Sequence, residues 1–363
     1  MPARIGHRRA GRHRPRVGRR RRRLRSGPPL HGRHGNAPVT LAPKSHDALL
    51  ANVALLYYKE GLTQGDIARR LGVSRPTVVA YLRQAREFGI VDIRIDGLSF
   101  ATSSLSRELR AAYGLSDVFL IDEPPGPAGT PEEASRQARR QLAQVGAMAV
   151  FDLLEPGDSL GVAWGQTIHW LAEEMPRGTI AGLSVYQMIG SMKSRHLPAA
   201  ETLAIRVASS LNAECFTLHA PAVLSNRDIA DALRREPVIA EQLRALRALS
   251  KTLFSVGNVA DDTQLVQSGI ATVDDVRGYV RRGAVGVLSA RFIDADGNPV
   301  AGDLDGRIIG MELADIRAVG NGILVSSGHD KVAAMRAALV GGYARYLVTD
   351  KATGEDLLDA KQA

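Results

Sequence analysis

The chain has 363 residues, 45% of them hydrophobic, which is enough to bury more than one core and excludes a small stapled or wholly disordered protein. Its single cysteine, Cys215, excludes an internal disulfide framework and fits a reducing compartment, the cytoplasm; no run approaches the roughly 18 apolar residues of a membrane span. The net charge of +9 sits at one end: residues 1–40 hold 13 arginines and no Lys, Asp or Glu, so the rest of the chain is acidic by four charges.

Residues 1–40 are mostly Arg, Gly, Pro and His and cannot bury enough surface to offset chain entropy, so a disordered Arg-rich extension is expected. Two readings stand side by side: a basic arm that adds non-specific affinity for phosphates, and a start placed too far upstream in an Arg-rich frame. Over 46–60, Leu49, Val53, Leu56 and Tyr57 fall at helical spacing. Gly61 ends that helix.

The next stretch, TQGDIARRLGVSRPTVVAYLRQAREFG at 63–89, describes two short helices meeting at a sharp turn. Ile67, Ala68 and Leu71 make one apolar face, and Val78, Leu82 and Ala85 repeat at i, i+4 and i+7 on the next helix. Gly72 suits a left-handed turn, Ser74 is placed to cap the second helix, and Pro76 sits in its first turn, where a missing N–H costs little. Arg75, Thr77, Tyr81 and Arg83 are left outward, able to reach phosphates and base edges in a major groove. Gln64, at the start of the first helix of the pair, suits a phosphate contact. The segment 90–95 alternates apolar and polar like the first strand of a wing. A DNA-binding domain over 41–96 follows from these signals, with DNA as its partner, and 97–104 reads as a small-residue linker.

From 105 to 363 short apolar runs alternate with helical ones, the rhythm of a layered α/β domain with a mostly parallel sheet. Strands are expected at 118–121, 159–163, 183–189, 252–256, 285–288, 322–325 and 345–348. Helices are expected at 132–154, 166–174, 199–211, 226–250, 273–281 and 330–340. Pro and Gly at 124–131 mark an exposed loop.

Three loops carry chemistry. In DSLGVAWGQT (158–167) a strand runs through Gly161 and Gly165 into a helix, so free N–H groups and the positive helix end converge on a point that suits a phosphate. Trp164 would wall that point, with Gln166 and Thr167 opening the helix. In VSSGHDK (325–331) Lys331 would stand in the first turn of a helix, where a cation is favourable only with an anion bound. A third loop, SVGNVAD at 255–261, offers Gly257 and Asn258. No metal site or cofactor motif stands out.

Together these loops and the N-terminal unit resemble the SorC family of sugar-binding transcriptional regulators, over about 41–358. The resemblance rests on IARRLGVSRPTVVAYLRQAREFGIV (67–91), WGQT (164–167), HAPAV (219–223), GAVG with FIDADGNPV (283–300) and KVAAMRAALVGGYARYLVTDKAT (331–353), in family order. It implies an effector domain similar to glucosamine-6-phosphate and ribose-5-phosphate isomerases, homotetramer assembly, and operator binding that changes when a phosphorylated sugar binds. The chain departs from the pattern at three places. Val287 stands where the family has an Asp that meets sugar hydroxyls, Ser327, Gly328 and His329 replace a Gly-Gly-Glu run, and Val79 and Ala80 replace a Ser-Arg pair. Two rivals remain open on the residues alone: a sugar-phosphate isomerase or deaminase with an accessory DNA-binding domain, and a regulator with a degenerate effector site.

Overall fold

The computed structural model describes residues 46–59, 62–87, 90, 104–121, 130–192 and 198–362. The arginine-rich extension, the expected wing strand beyond residue 90, the linker up to residue 103 and the loop at 122–129 lie outside the described residues. The chain divides into two compact units, Met1–Ile93 and Arg94–Ala363.

In the first unit α1 spans His46–Ala54 and continues as one π-helical turn, Leu55–Lys59, so the α-helical period expected to residue 60 holds only to Ala54. Helix α2 is Gln64–Leu71 and α3 is Arg75–Glu87. Thr63 and Asp66 form a capping box that starts α2, and Gly72, at φ 69°, takes the left-handed conformation that ends it. Ser74 opens α3 by accepting the N–H of Thr77 on its hydroxyl (3.3 Å). Val53, Leu56, Ile67, Ala68, Val78 and Leu82 bury together, so the apolar stripes of all three helices share one core.

The second unit begins with α4 (Ser104–Tyr113), β1 (Asp117–Ile121), α5 (Pro131–Leu153) and β2 (Ser159–Val162). It continues through α6 (Gln166–Glu173), β3 (Ser184–Gln187), α7 (Ala200–Ser210) and β4 (Glu214–Phe216). Helices α8 (Arg227–Arg235) and α9 (Pro237–Leu246) lead to β5 (Lys251–Phe254) and β6 (Val256–Gly257). Helices α10 (Gln264–Gln267) and α11 (Val273–Arg281) precede the strand pair β7 (Gly286–Leu288) and β8 (Arg291–Ile293). The unit closes with α12 (Leu313–Val319), β9 (Gly322–Val325), α13 (Val332–Val340), β10 (Tyr346–Asp350) and α14 (Lys351–Gln362).

Seven strands form one sheet in the order β1-β10-β9-β5-β2-β3-β4, and every pairing in it is parallel. Both faces of β1, β9 and β10 are covered, so these strands bury consecutive residues, whereas the edge strand β4 is largely exposed. Val118, Leu120, Leu324 and Leu347 pack with Leu109 of α4, Met335 of α13 and Leu357 of α14. Phe119, Val325 and Val348 pack with Leu142 of α5, Ile168 of α6 and Leu203 of α7. From β2 the chain steps outward through β3 and β4, then returns beside β2 as β5 and steps the other way. The reversal between β2 and β5 is a topological switch point, and a crevice opens there at the carboxyl ends of the strands.

The sequence expectation needs correction in several places. The run at 252–256 is two strands, β5 in the parallel sheet and β6 in a separate antiparallel sheet ordered β6-β7-β8. The run at 226–250 is broken at Pro237, which begins α9 and has no N–H to continue α8. Strands β4 and β8 and helices α4, α10, α12 and α14 were not expected. Among the described residues no helix is long and apolar enough to cross a membrane.

Candidate functional site

On α3, Arg75, Pro76, Val79 and Arg83 are exposed. Arg75 and Gln64, which open the two helices, meet each other, with Nε donating to Oε1 at 3.4 Å. Ser74 and Thr77 are placed otherwise than as free contacts: their hydroxyls lie 2.7 Å apart within the cap of α3. Tyr81 is half-buried, packs against the helical core and meets His46 edge to face at 6.3 Å between ring centroids. Its ring is big enough to cover the seam between α1 and α3, and this burial displaces it from the wholly outward position that spacing suggested.

The second unit holds a cavity of about 590 Å³ at the switch point, within the usual range for small-molecule sites. Three loops converge on it: Trp164, Gly165, Gln166 and Thr167 after β2, Ser255, Gly257 and Asn258 after β5, and Lys331 with Gly328 and Asp330 after β9. Gly161 is not among the lining residues. It lies within β2, and a Cβ there would stand 2.6 Å from Leu249 Cδ1 and 2.9 Å from Met188 Cγ, so its smallness makes room for two core side chains, one from the segment before β5 and one from the end of β3.

No side chain caps α6. The Gln166 N–H is already donated to Gln264 Oε1 (3.3 Å), while those of Thr167 and Ile168 have no acceptor among the described residues. The second loop is less open than its sequence suggested, since the Gly328 N–H is given to Thr353 Oγ1 (2.9 Å). The Lys331 ammonium has no hydrogen-bond or ion-pair partner among the described residues, while its backbone N–H is given to the Gly328 carbonyl (2.9 Å). Burial pushes its pKa below the ordinary lysine value; Asp330 opposes that shift and Arg139 adds to it. A desolvated ammonium of this kind gains from an incoming anion.

Sequence reasoning missed three features of this site. Arg139, on α5, brings a second cation to the rim; nothing near it in sequence resembles a loop motif. Asp262, Asp330 and Asp350 also line the cavity, although no acid was expected among the phosphate-binding loops. Asp330 accepts the Asn258 amide (2.7 Å) and Asp350 accepts the Thr353 N–H (2.7 Å), so both carboxylates already serve the protein. The third is the two-residue turn between β7 and β8, where Ser289 and Ala290 have φ of 48° and 64°. Two positive φ values are the type I′ hairpin geometry, here without glycine, at roughly 1–2 kcal/mol per residue. Val287, on β7, lines the cavity and is buried. His329 does not line it: its ring is exposed and lies 2.9 Å from Asp356, which raises its pKa.

A helix-turn-helix in one chain with a parallel α/β domain, whose switch-point cavity pairs a desolvated lysine with an uncapped helix start, defines a ligand-responsive DNA-binding regulator. Comparison with known proteins agrees. Residues 99–359 match the family described as "Putative sugar-binding domain", and residues 50–94 match "Homeodomain-like domain". The transcriptional regulator YjhU of Escherichia coli K12 is 35% identical over 313 residues, 86% of this chain and 95% of that protein. The deoxyribonucleoside regulator of Bacillus subtilis is 31% identical, with 86% of this chain and 97% of that protein covered. The crystal structure of the full-length sorbitol operon regulator SorC from Klebsiella pneumoniae matches at a TM-score of 0.70 and 27% identity, covering 85% of this chain and 98% of that one. The chain belongs to the SorC family of sugar-binding transcriptional regulators.

Proposed function

We propose that this regulator binds a phosphorylated sugar or polyol in the switch-point cavity and that the bound ligand changes its affinity for operator DNA. The observation that carries the reading is Lys331, a desolvated cation without a partner among the described residues, in one cavity with the uncapped start of α6. Trp164, Gly165, Gln166, Thr167, Gly257 and Asn258 are the remaining effector contacts; Gly161 acts only through packing. On the DNA side Arg75, Arg83 and Gln64 make the contacts, with Ser74, Pro76, Thr77 and Tyr81 shaping and seating α3. Domains run as 41–96 for DNA binding and 105–363 for the effector, acting in the cytoplasm as a homotetramer.

Two further features support a binding role over turnover. Isomerase or deaminase chemistry needs an acid and a base converging on the sugar carbons, yet His329 is turned to Asp356 and two of the three lining aspartates hold protein donors. A dianion beside Lys331 restores its pKa, so affinity falls as pH rises through the depressed lysine value, below the ordinary 10.5. Thermal shifts with a panel of sugar phosphates test the reading, since a ligand of the native state raises the melting temperature in proportion to its saturation. Stabilisation that survives in Lys331→Ala, or catalytic turnover of the stabilising compound, would contradict it.

A further inference from the structure

The β7–β8 turn carries an observation that phosphate binding does not use. Of the buried side-chain polar atoms without a partner among the described residues, two belong to residues that line the cavity: Ser289 Oγ and Ser255 Oγ. Ser289 is only 8% exposed and is held at positive φ. Strain and an orphan hydroxyl in one residue are costly unless a bound group repays both, and backbone strain of this kind clusters at ligand clamps. Beside it the cavity wall is apolar. Val256, Leu265, Val287 and Ala290 are all buried and line the same space, and Val287 stands in register with Gly257 of the phosphate-side loop.

We propose that Ser289 is a specificity-determining residue that hydrogen-bonds one hydroxyl of the effector. The adjoining Val256, Leu265 and Val287 wall receives a ligand carbon that bears no hydroxyl, so the effector is a phosphorylated deoxy sugar. The inference rests on the phosphosugar reading of the cavity and adds the class of sugar. A hydroxyl set against that wall loses its water and finds no partner, which disfavours the fully hydroxylated analogue by roughly ten- to a hundredfold.

The test is calorimetric titration of the full chain with matched pairs: 2-deoxyribose 5-phosphate and ribose 5-phosphate, 2-deoxyglucose 6-phosphate and glucose 6-phosphate, fucose 1-phosphate and galactose 1-phosphate. At least one deoxy member should bind roughly tenfold or more tightly than its partner. Ser289→Ala, which keeps the Cβ and removes only the hydroxyl, should weaken that deoxy ligand about tenfold while inorganic phosphate binds as before. Equal affinity within every pair, or wild-type affinity in Ser289→Ala, overturns the inference and leaves the phosphate site standing. Absence of binding by every sugar phosphate overturns the phosphosugar reading and this inference with it.

Discussion

The contacts that shape the helix-turn-helix join near neighbours in sequence: Thr63 with Asp66, Ser74 with Thr77, Ile67 with Val78. The cavity is assembled instead from Arg139 on α5, the loops after β2, β5 and β9, and the β7–β8 turn. Its residues meet because the order of strand addition reverses between β2 and β5. Arg75 and Arg83 of α3 lie exposed to solvent, whereas Lys331 is partly buried, and that burial lowers its pKa. Exposed cations suit broad electrostatic affinity for a polyanion, and a partly buried one suits a single incoming anion.

The comparison breaks most visibly at Gly161. Gly161→Val should destabilise the second unit by roughly 1–3 kcal/mol or more through overpacking against Leu249 and Met188, read by denaturant unfolding. Unchanged stability with lost ligand binding would return Gly161 to the cavity. On the DNA side, Arg75→Ala should cost roughly 1–3 kcal/mol of specific binding if the guanidinium reads a base bidentately. A gel shift in which specific and non-specific DNA weaken alike would make it a phosphate contact.

What was legible in the sequence follows the same division. Gly72, Ser74 and the i, i+4 spacing of Val78 and Leu82 are local signals, and the helices sit where those signals put them. Lys331 and the WGQT loop were legible as glycine-rich strand-to-helix turns, but that they share one space with Gly257 and Asn258 is a product of strand order. Gly161 misled because a glycine in a strand that makes room for core side chains looks the same in sequence as one that approaches a phosphate. Arg139 lies on a long helix with many exposed polar residues and carried no distinguishing signal. Ser289 and Ala290 were hidden because a type I′ turn is expected to announce itself with Asn or Gly.

Thr63→Ala removes the capping box of α2 and should lower the stability of the first unit by about 1 kcal/mol, measurable as faster amide exchange in α2. At the outer edge of the second unit, Asp356 holds the His329 pKa above 6.5. That pair contributes stability below the unfolded histidine value, and the contribution is lost as pH rises through the raised folded value. An NMR titration should place the His329 midpoint above 6.5, and Asp356→Asn should move it back down; a midpoint unaffected by that substitution would show the contact is not made in solution.

In the proposed switch, operator binding responds to a phosphate held by Lys331. A ligand biases the protein only through different affinities for its DNA-binding and released arrangements, so weakening the phosphate contact must displace the response along the concentration axis. The direct measurement is operator affinity of wild type and Lys331→Ala across a titration of a phosphosugar that stabilises the wild type. The variant should need roughly ten- to a hundredfold more ligand for the same change, the value of a charge-assisted hydrogen bond. A response at the same ligand concentration in both proteins would contradict the account.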